Sequence, residues 1–164
     1  MLFRNIRGFR IQHDERLGLL RVDWAGGRQL AYLRPSLLQV QLLARQLHVS
    51  HLLLALDALP DLPVYDQIWL GQQWLPEVLK LPLRQVVLVL GSERVYNLHA
   101  IETLLLTFRL YMKCDLQFFT QLLPGLQWLT SHSPHVPELL AEWQAGFGGA
   151  ATDAVVAPPT AQLR

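Results

Sequence analysis

The sequence predicts a single α/β domain, a mixed and mostly parallel sheet of four to five strands flanked by helices. Three observations carry that expectation. Residues 52–56 (LLLAL) and 85–90 (QVVLVL) are short apolar runs stopped by Asp57 and by Gly91-Ser92. Unbroken runs bounded by turn residues are the form of strands covered on both faces. Stretches of helical period separate the runs, which implies right-handed βαβ crossovers and parallel pairing. Near the start, two strand-like segments joined at Asp14-Glu15-Arg16 read as an antiparallel hairpin, and the hairpin makes the sheet mixed.

Each element follows in order. The hairpin spans residues 9–13 and 17–24. In its second strand Leu20, Val22 and Trp24 alternate with Arg21 and Asp23, so one face is expected to meet water. Gly26-Gly27 ends it, and residues 30–33 suit a further short strand. Arg34-Pro35-Ser36 then opens a helix to about Leu47, because the N–H that proline lacks has no partner in a first turn. Val40, Leu43, Ala44 and Leu47 form the i, i+3, i+4, i+7 stripe that turns toward a sheet. The strand at 52–56 comes next, then a helix from Pro63 to Trp74. Pro76 should kink that helix or start a fresh turn through Val78 and Leu79, and Pro82 closes it. After the strand at 85–90, Asn97 is the expected N-cap of a helix from Leu98 to about Met112. Leu98, Ile101, Leu105, Phe108 and Met112 make its core stripe, with Leu104, Leu106 and Leu110 largely off it. Asp115–Phe119 reads as the last strand, Leu122–Leu129 as a short packing helix and residues 138–143 as a helical turn. Residues 1–145 are expected to form the domain, and the Gly-, Ala- and Pro-rich residues 146–164 a disordered tail. The order is β-β-α-β-α-β-α-β-α.

Composition narrows the function classes. Of 164 residues, 51% are hydrophobic and 16% charged, which is a folding composition and an unusually apolar one. Surplus apolar residues raise the expectation of a surface that a partner covers. The net charge is +1, from 14 basic and 13 acidic residues without a basic run. A nucleic-acid binder needs clustered phosphate-neutralising side chains, so nucleic acid is set aside. The single Cys114 allows no internal disulfide. Arg4, Arg7 and Arg10 stand where a signal peptide needs its apolar core. No apolar run approaches the roughly 20 residues that cross a bilayer, so a cytoplasmic protein without a transmembrane segment is expected.

No constellation with catalytic spacing stands out. The close pairs His48/His51 and His132/His135 lack the Cys or carboxylate company of a zinc site. Cys114 precedes a strand and reads as a small buried residue. Ser92 follows a strand, but no G-x-S-x-G and no glycine-rich phosphate loop accompanies it. Asp57, Asp61 and Asp66 gather beyond the strand at 52–56, where helix-capping and turn roles explain them. Trp24, Trp69, Trp74 and Trp128 are mostly core candidates. Tyr65, Trp69 and the leucines 104, 106 and 110 are the best candidates for an exposed interface subset, with burial under the C-terminal segment the other reading of those leucines. The expectation is a non-enzyme with no catalytic, cofactor or metal residues.

Five stretches bring a family into view: RVDWAGG, LLLALD, YDQIWLGQQWLP, VVLVLGSERVYN and DLQFFTQLLPGLQWL. In their order and spacing, over roughly residues 9–129, the chain resembles the STAS/SEC14-like domains of the SpoIIAA-like family in their compact bacterial form. In the family's anti-sigma-factor antagonists, a Ser or Thr beyond the third strand is phosphorylated to switch partner binding. Here the matching turn, residues 57–66, holds neither residue, so that switch cannot operate there. Asp61 is then either a fixed negative charge at a helix N-terminus or a plain helix cap, the cap being the favoured reading. The resemblance, together with the missing catalytic groups, implies a regulatory protein-interaction module. Its partner-binding face would comprise Asp57, Asp61, Tyr65, Asp66, Trp69, Ser92 and Arg94, at the carboxyl ends of the third and fourth strands. The alternative is a small apolar-ligand or lipid binder, implied by the SEC14 side of the resemblance, which requires an enclosed pocket. A homodimer with a structural role is a third expectation.

Overall fold

The computed structural model describes residues 1–148. Among the described residues six strands form one sheet, and each lies beside its neighbour in sequence: β1 (Leu2–Phe3), β2 (Phe9–Asp14), β3 (Leu19–Trp24), β4 (His51–Ala55), β5 (Gln85–Val89) and β6 (Asp115–Phe119). β1–β2 and β2–β3 are antiparallel, and the three following pairs are parallel. The sheet is mixed as expected, but the expectation of four to five mostly parallel strands is corrected to six strands with two antiparallel ladders. The unforeseen strand is β1, whose two residues are too short to show a period. It is tied in from outside itself, with the His13 N–H donating to Met1 O (2.8 Å) and the Met1 amino group donating to His13 O (2.9 Å).

Between the parallel strands run α1 (Leu33–Gln46), the α2 (Val64–Trp69) to α3 (Leu75–Val78) segment, and α4 (Val95–Phe108). Successive parallel strands always step the same way across the sheet, so right-handed crossovers put all three connections on one face. The alternation of each strand then sorts side chains between two cores. Leu20, Val22, Leu52, Leu54, Val86 and Leu88 meet Leu33, Leu37, Val40 and Ala44 of α1. Leu19, Leu53, Val87 and Val89 point the other way, to α5 (Leu122–Leu129) and α6 (Val136–Phe147), where Leu126, Leu129, Val136 and Leu139 cover them. β4 is interior, as its unbroken apolar run requires, and Leu53 has no exposed surface.

Several expectations are corrected. Residues 30–33 form no strand, since Leu33 N–H bonds back to Leu30 O (3.0 Å) and α1 starts at Leu33. The three-residue spacing of Leu30 and Leu33 is helical in period, and that period wins. The helix expected over residues 63–74 is α-helical only over Val64–Trp69, and at Pro76 the second of the two expected forms is found, a fresh turn, α3. A π-helical turn at Leu70–Trp74 joins α2 to α3, with Leu75 N–H reaching Leu70 O five residues back. Pro76 has no N–H to continue the regular ladder, and the wider turn just upstream absorbs the mismatch. The Trp74 indole N–H donates to Leu37 O (2.9 Å) and fastens this segment to α1.

The second face of β3 is not wet. Arg21 is buried and Asp23 half-buried beneath α6, with the Arg21 guanidinium 3.4 Å from the Trp143 ring centroid. Alternation marked these positions as polar correctly, but a helix distant in sequence covers them. That helix is longer than the turn expected at 138–143 and takes in Gly146 and Phe147, which the sequence assigned to the tail. The remainder of the expected tail, 149–164, lies outside the described residues. No described helix is long and apolar enough to cross a membrane.

Candidate functional site

The loop from β4 to α2 has no ladder of its own, and its backbone groups need partners from elsewhere. The first turn of α4 supplies them. The Asn97 carboxamide, only 1% exposed, accepts from Leu62 N–H (2.9 Å) and donates to Leu59 O (3.1 Å) and Pro60 O (2.9 Å). The Arg94 guanidinium also donates to Leu59 O. Tyr96 Oη donates to Leu62 O (3.1 Å), and Gln67 Nε2 donates to the same carbonyl (2.8 Å). Behind them, the Gly91 N–H donates to the Asp57 carboxylate. The loops leaving β4 and β5 therefore form one clamped unit.

Asn97 is thus not the N-cap expected of it. α4 begins at Val95, two residues before Asn97, and has no side-chain cap; Asn97 faces inward and holds the neighbouring loop. Asp61 does not cap α2 either. The residue at that position is Pro63, no side-chain cap bond forms, and Asp61 is exposed without a hydrogen bond among the described residues.

The other expected site residues divide into two groups. Asp57, Asp61, Tyr65 and Ser92 are exposed at the carboxyl end of the sheet. Asp66 is half-buried and paired with Arg34 of α1 (2.8 Å), while Trp69 lies half-buried with the Arg34 guanidinium 5.8 Å from its ring. These two, with Arg94, brace the platform more than they display themselves.

Sequence reasoning missed the residues that widen the face. Val64 and Ile68 are exposed beside Tyr65, which is 80% exposed, and Val95 and Tyr96 stand exposed on α4. The bond between Gln67 Nε2 and Tyr96 Oη (3.2 Å) brings the two helices together. The signal that could have found them is the pair of prolines in a loop followed by apolar residues outside the helix core stripe. Of the surplus leucines, Leu104 is half-buried in α4 and Leu106 exposed on it, while Leu110 lies past its end in a 3-10 turn (Arg109–Tyr111) and is 95% exposed, so the helix expected to run to about Met112 stops at Phe108. The C-terminal helices lie on the other side of the sheet and cannot cover them.

Beneath α4 is a cavity of about 120 Å³ with no polar lining. The sheet contributes Leu52, Val86 and Leu116, the helices Leu37, Val78 and Leu105, and Cys114 also touches it. Burial pushes the Cys114 thiol above its ordinary value, so it sits there as a neutral, weakly polar side chain. α4 packs lightly against the sheet. Asn97 is its only fully buried residue, although Leu104 comes so close to Gly71 that an added Cβ would lie 2.9 Å from its methyl group.

Among the described residues no cluster of three or more His, Cys, Asp or Glu could hold a metal ion. Comparison with protein-family models, curated proteins and solved structures found no match to the chain.

Proposed function

We propose that the chain is a non-enzymatic, regulatory interaction module that docks a protein partner on the carboxyl end of its sheet. The observation that carries this reading is the exposed apolar group Val64, Tyr65, Ile68, Val95 and Tyr96 on a platform already clamped by Asn97, Arg94 and Gln67. Exposed tyrosine beside aliphatic side chains is the composition of an interface centre, and preordered loops lower the entropy that docking costs. Asp57, Asp61 and Glu93 are exposed around this group, so the complementary partner presents an apolar centre with basic residues at its margin. Kinship with STAS/SEC14-like domains belongs to the same proposal; the β-β-α-β-α-β-α-β order that follows β1, taking α2 to α3 as one connection and closed by α5 and α6, supports it.

The test is site-specific photo-crosslinking in native extract. A crosslinker in place of Tyr65 should give one discrete protein adduct, and one in place of Leu42 on the exposed side of α1 should give none. The same adduct from both positions, or none from 65, overturns the reading.

The cavity favours a second reading, a small apolar ligand. Its volume is close to that of engineered apolar cavities of roughly 150 Å³ that hold benzene or xenon. It is far below the roughly 300–1,000 Å³ of typical ligand pockets. It therefore suits a single ring or the end of a short alkyl chain, not an entire lipid.

A further inference from the structure

We infer that a second concavity, beside the N-terminal strands, binds a phosphoryl group. It has a volume of about 480 Å³ and opens between the start of β2, the end of β3 and the end of α6. Three of its lining residues are Arg4, Arg7 and Arg10. In a chain with only 14 basic residues, three arginines line one hollow, and none forms an ion pair among the described residues. The Arg10 charge acts on one carboxylate, that of Asp23. Asp23 is already held at two points by Arg21 (2.9 and 2.8 Å), so it does not neutralise the hollow.

The arginines are also held in place. The Arg7 guanidinium lies 3.6 Å from the Tyr32 ring centroid, and Arg4 and Arg10 lie 4.7 and 5.7 Å from the Phe147 centroid. A guanidinium stacked on a ring presents its N–H edge to a ligand, and the stack lowers the entropy cost of fixing a long side chain. Arg4 directs one N–H to Gly146 O (2.5 Å), which leaves further donors on the same group. A carboxylate is satisfied by one bidentate arginine. Three guanidiniums around one hollow match a dianion with three terminal oxygens, which is a phosphoryl group. Phe9 lines both this hollow and the apolar cavity.

The source of the phosphoryl group is either a soluble phosphate or a phospholipid headgroup, and the experiment has an arm for each. Full-length protein is titrated calorimetrically with inorganic phosphate and with pyrophosphate at low salt. In parallel it is floated with phosphatidylcholine vesicles that contain or lack phosphatidic acid. Saturable binding is expected in at least one arm. Arg7→Gln and Arg10→Gln should each weaken it about tenfold, the equivalent of about 1.4 kcal/mol. Arg84→Gln removes the same charge at an exposed arginine outside the hollow and should leave binding unchanged. Circular dichroism and an unaltered melting curve confirm that the variants fold. Absence of saturable binding in both arms overturns the inference, as does equal weakening by all three substitutions, which would report net charge alone. None of these results bears on the docking face, which crosslinking at Tyr65 tests separately.

Discussion

Replacing Asn97 with alanine removes the one side chain that satisfies three backbone groups of a loop without a ladder of its own. Leu59 O keeps its bond from Arg94, so two groups are orphaned, the Leu62 N–H and Pro60 O. The Leu62 bond is buried and the Pro60 bond partly so. An unsatisfied buried polar group costs about 1–3 kcal/mol, and the half-open site of Pro60 O puts that group at the low end because water reaches it. The sum expected for Asn97→Ala is about 2–4 kcal/mol, a large share of the roughly 5–15 kcal/mol that keeps a domain folded. At about 2–4 °C per kcal/mol for a chain of this size, the melting temperature should fall by roughly 4–16 °C. Urea denaturation followed by fluorescence of the five tryptophans measures the first quantity. Amide exchange should show protection lost first at residues 57–66. Asn97→Asp sharpens the test, since it keeps the acceptor for Leu62 N–H but turns a carboxylate toward two carbonyls, and at neutral pH it should cost at least as much as alanine. If Asn97→Ala costs less than about 0.5 kcal/mol, the loop is not held as described and the clamped platform falls with it.

Two further outcomes follow from the cavity and from burial. Val78 lines the cavity, so Val78→Leu adds a methylene to empty space and should stabilise the fold by up to about 1 kcal/mol; a loss of more than about 1 kcal/mol in urea unfolding would mean overpacking and no void. Burial holds the His13 imidazole below its ordinary value of 6.5, with the N-terminal ammonium acting in the same sense and Asp14 and Glu15 against it. The unfolded chain therefore takes up the proton first as pH falls through 6.5, and stability declines from there until the folded value is passed. His51 is lowered by burial as well and adds to the same decline. The urea midpoint of His13→Gln should accordingly change less than that of the unaltered chain between about pH 7.5 and about pH 5.5, and equal slopes would exclude His13 as a contributor.

What could be read along the chain was local. The apolar runs that became β4 and β5, the stripe of α1 and the hairpin of β2 and β3 each carry their period within a dozen residues. That is the range over which side-chain alternation and helical spacing express themselves. Asp57, Asp61, Tyr65 and Ser92 were placed at one end of the sheet by the same logic, because parallel strands deliver their exits to a common edge. What escaped was decided between residues far apart. Arg21 is polar by pattern but covered by Trp143, roughly 120 positions on, with Asp23 held beside it, and nothing in β3 announces that helix. Asn97 looks like a cap by type, yet its carboxamide answers to a loop more than 30 residues earlier. β1 is a strand because Leu2 and Phe3 pair with Gln12 and Ile11 of β2, with Met1 and His13 exchanging backbone bonds beside them. The apolar cavity and the arginine hollow are likewise properties of the space between elements. A sequence sets which side chains avoid water, but how closely their elements approach is settled by packing, and that is where both chambers arise.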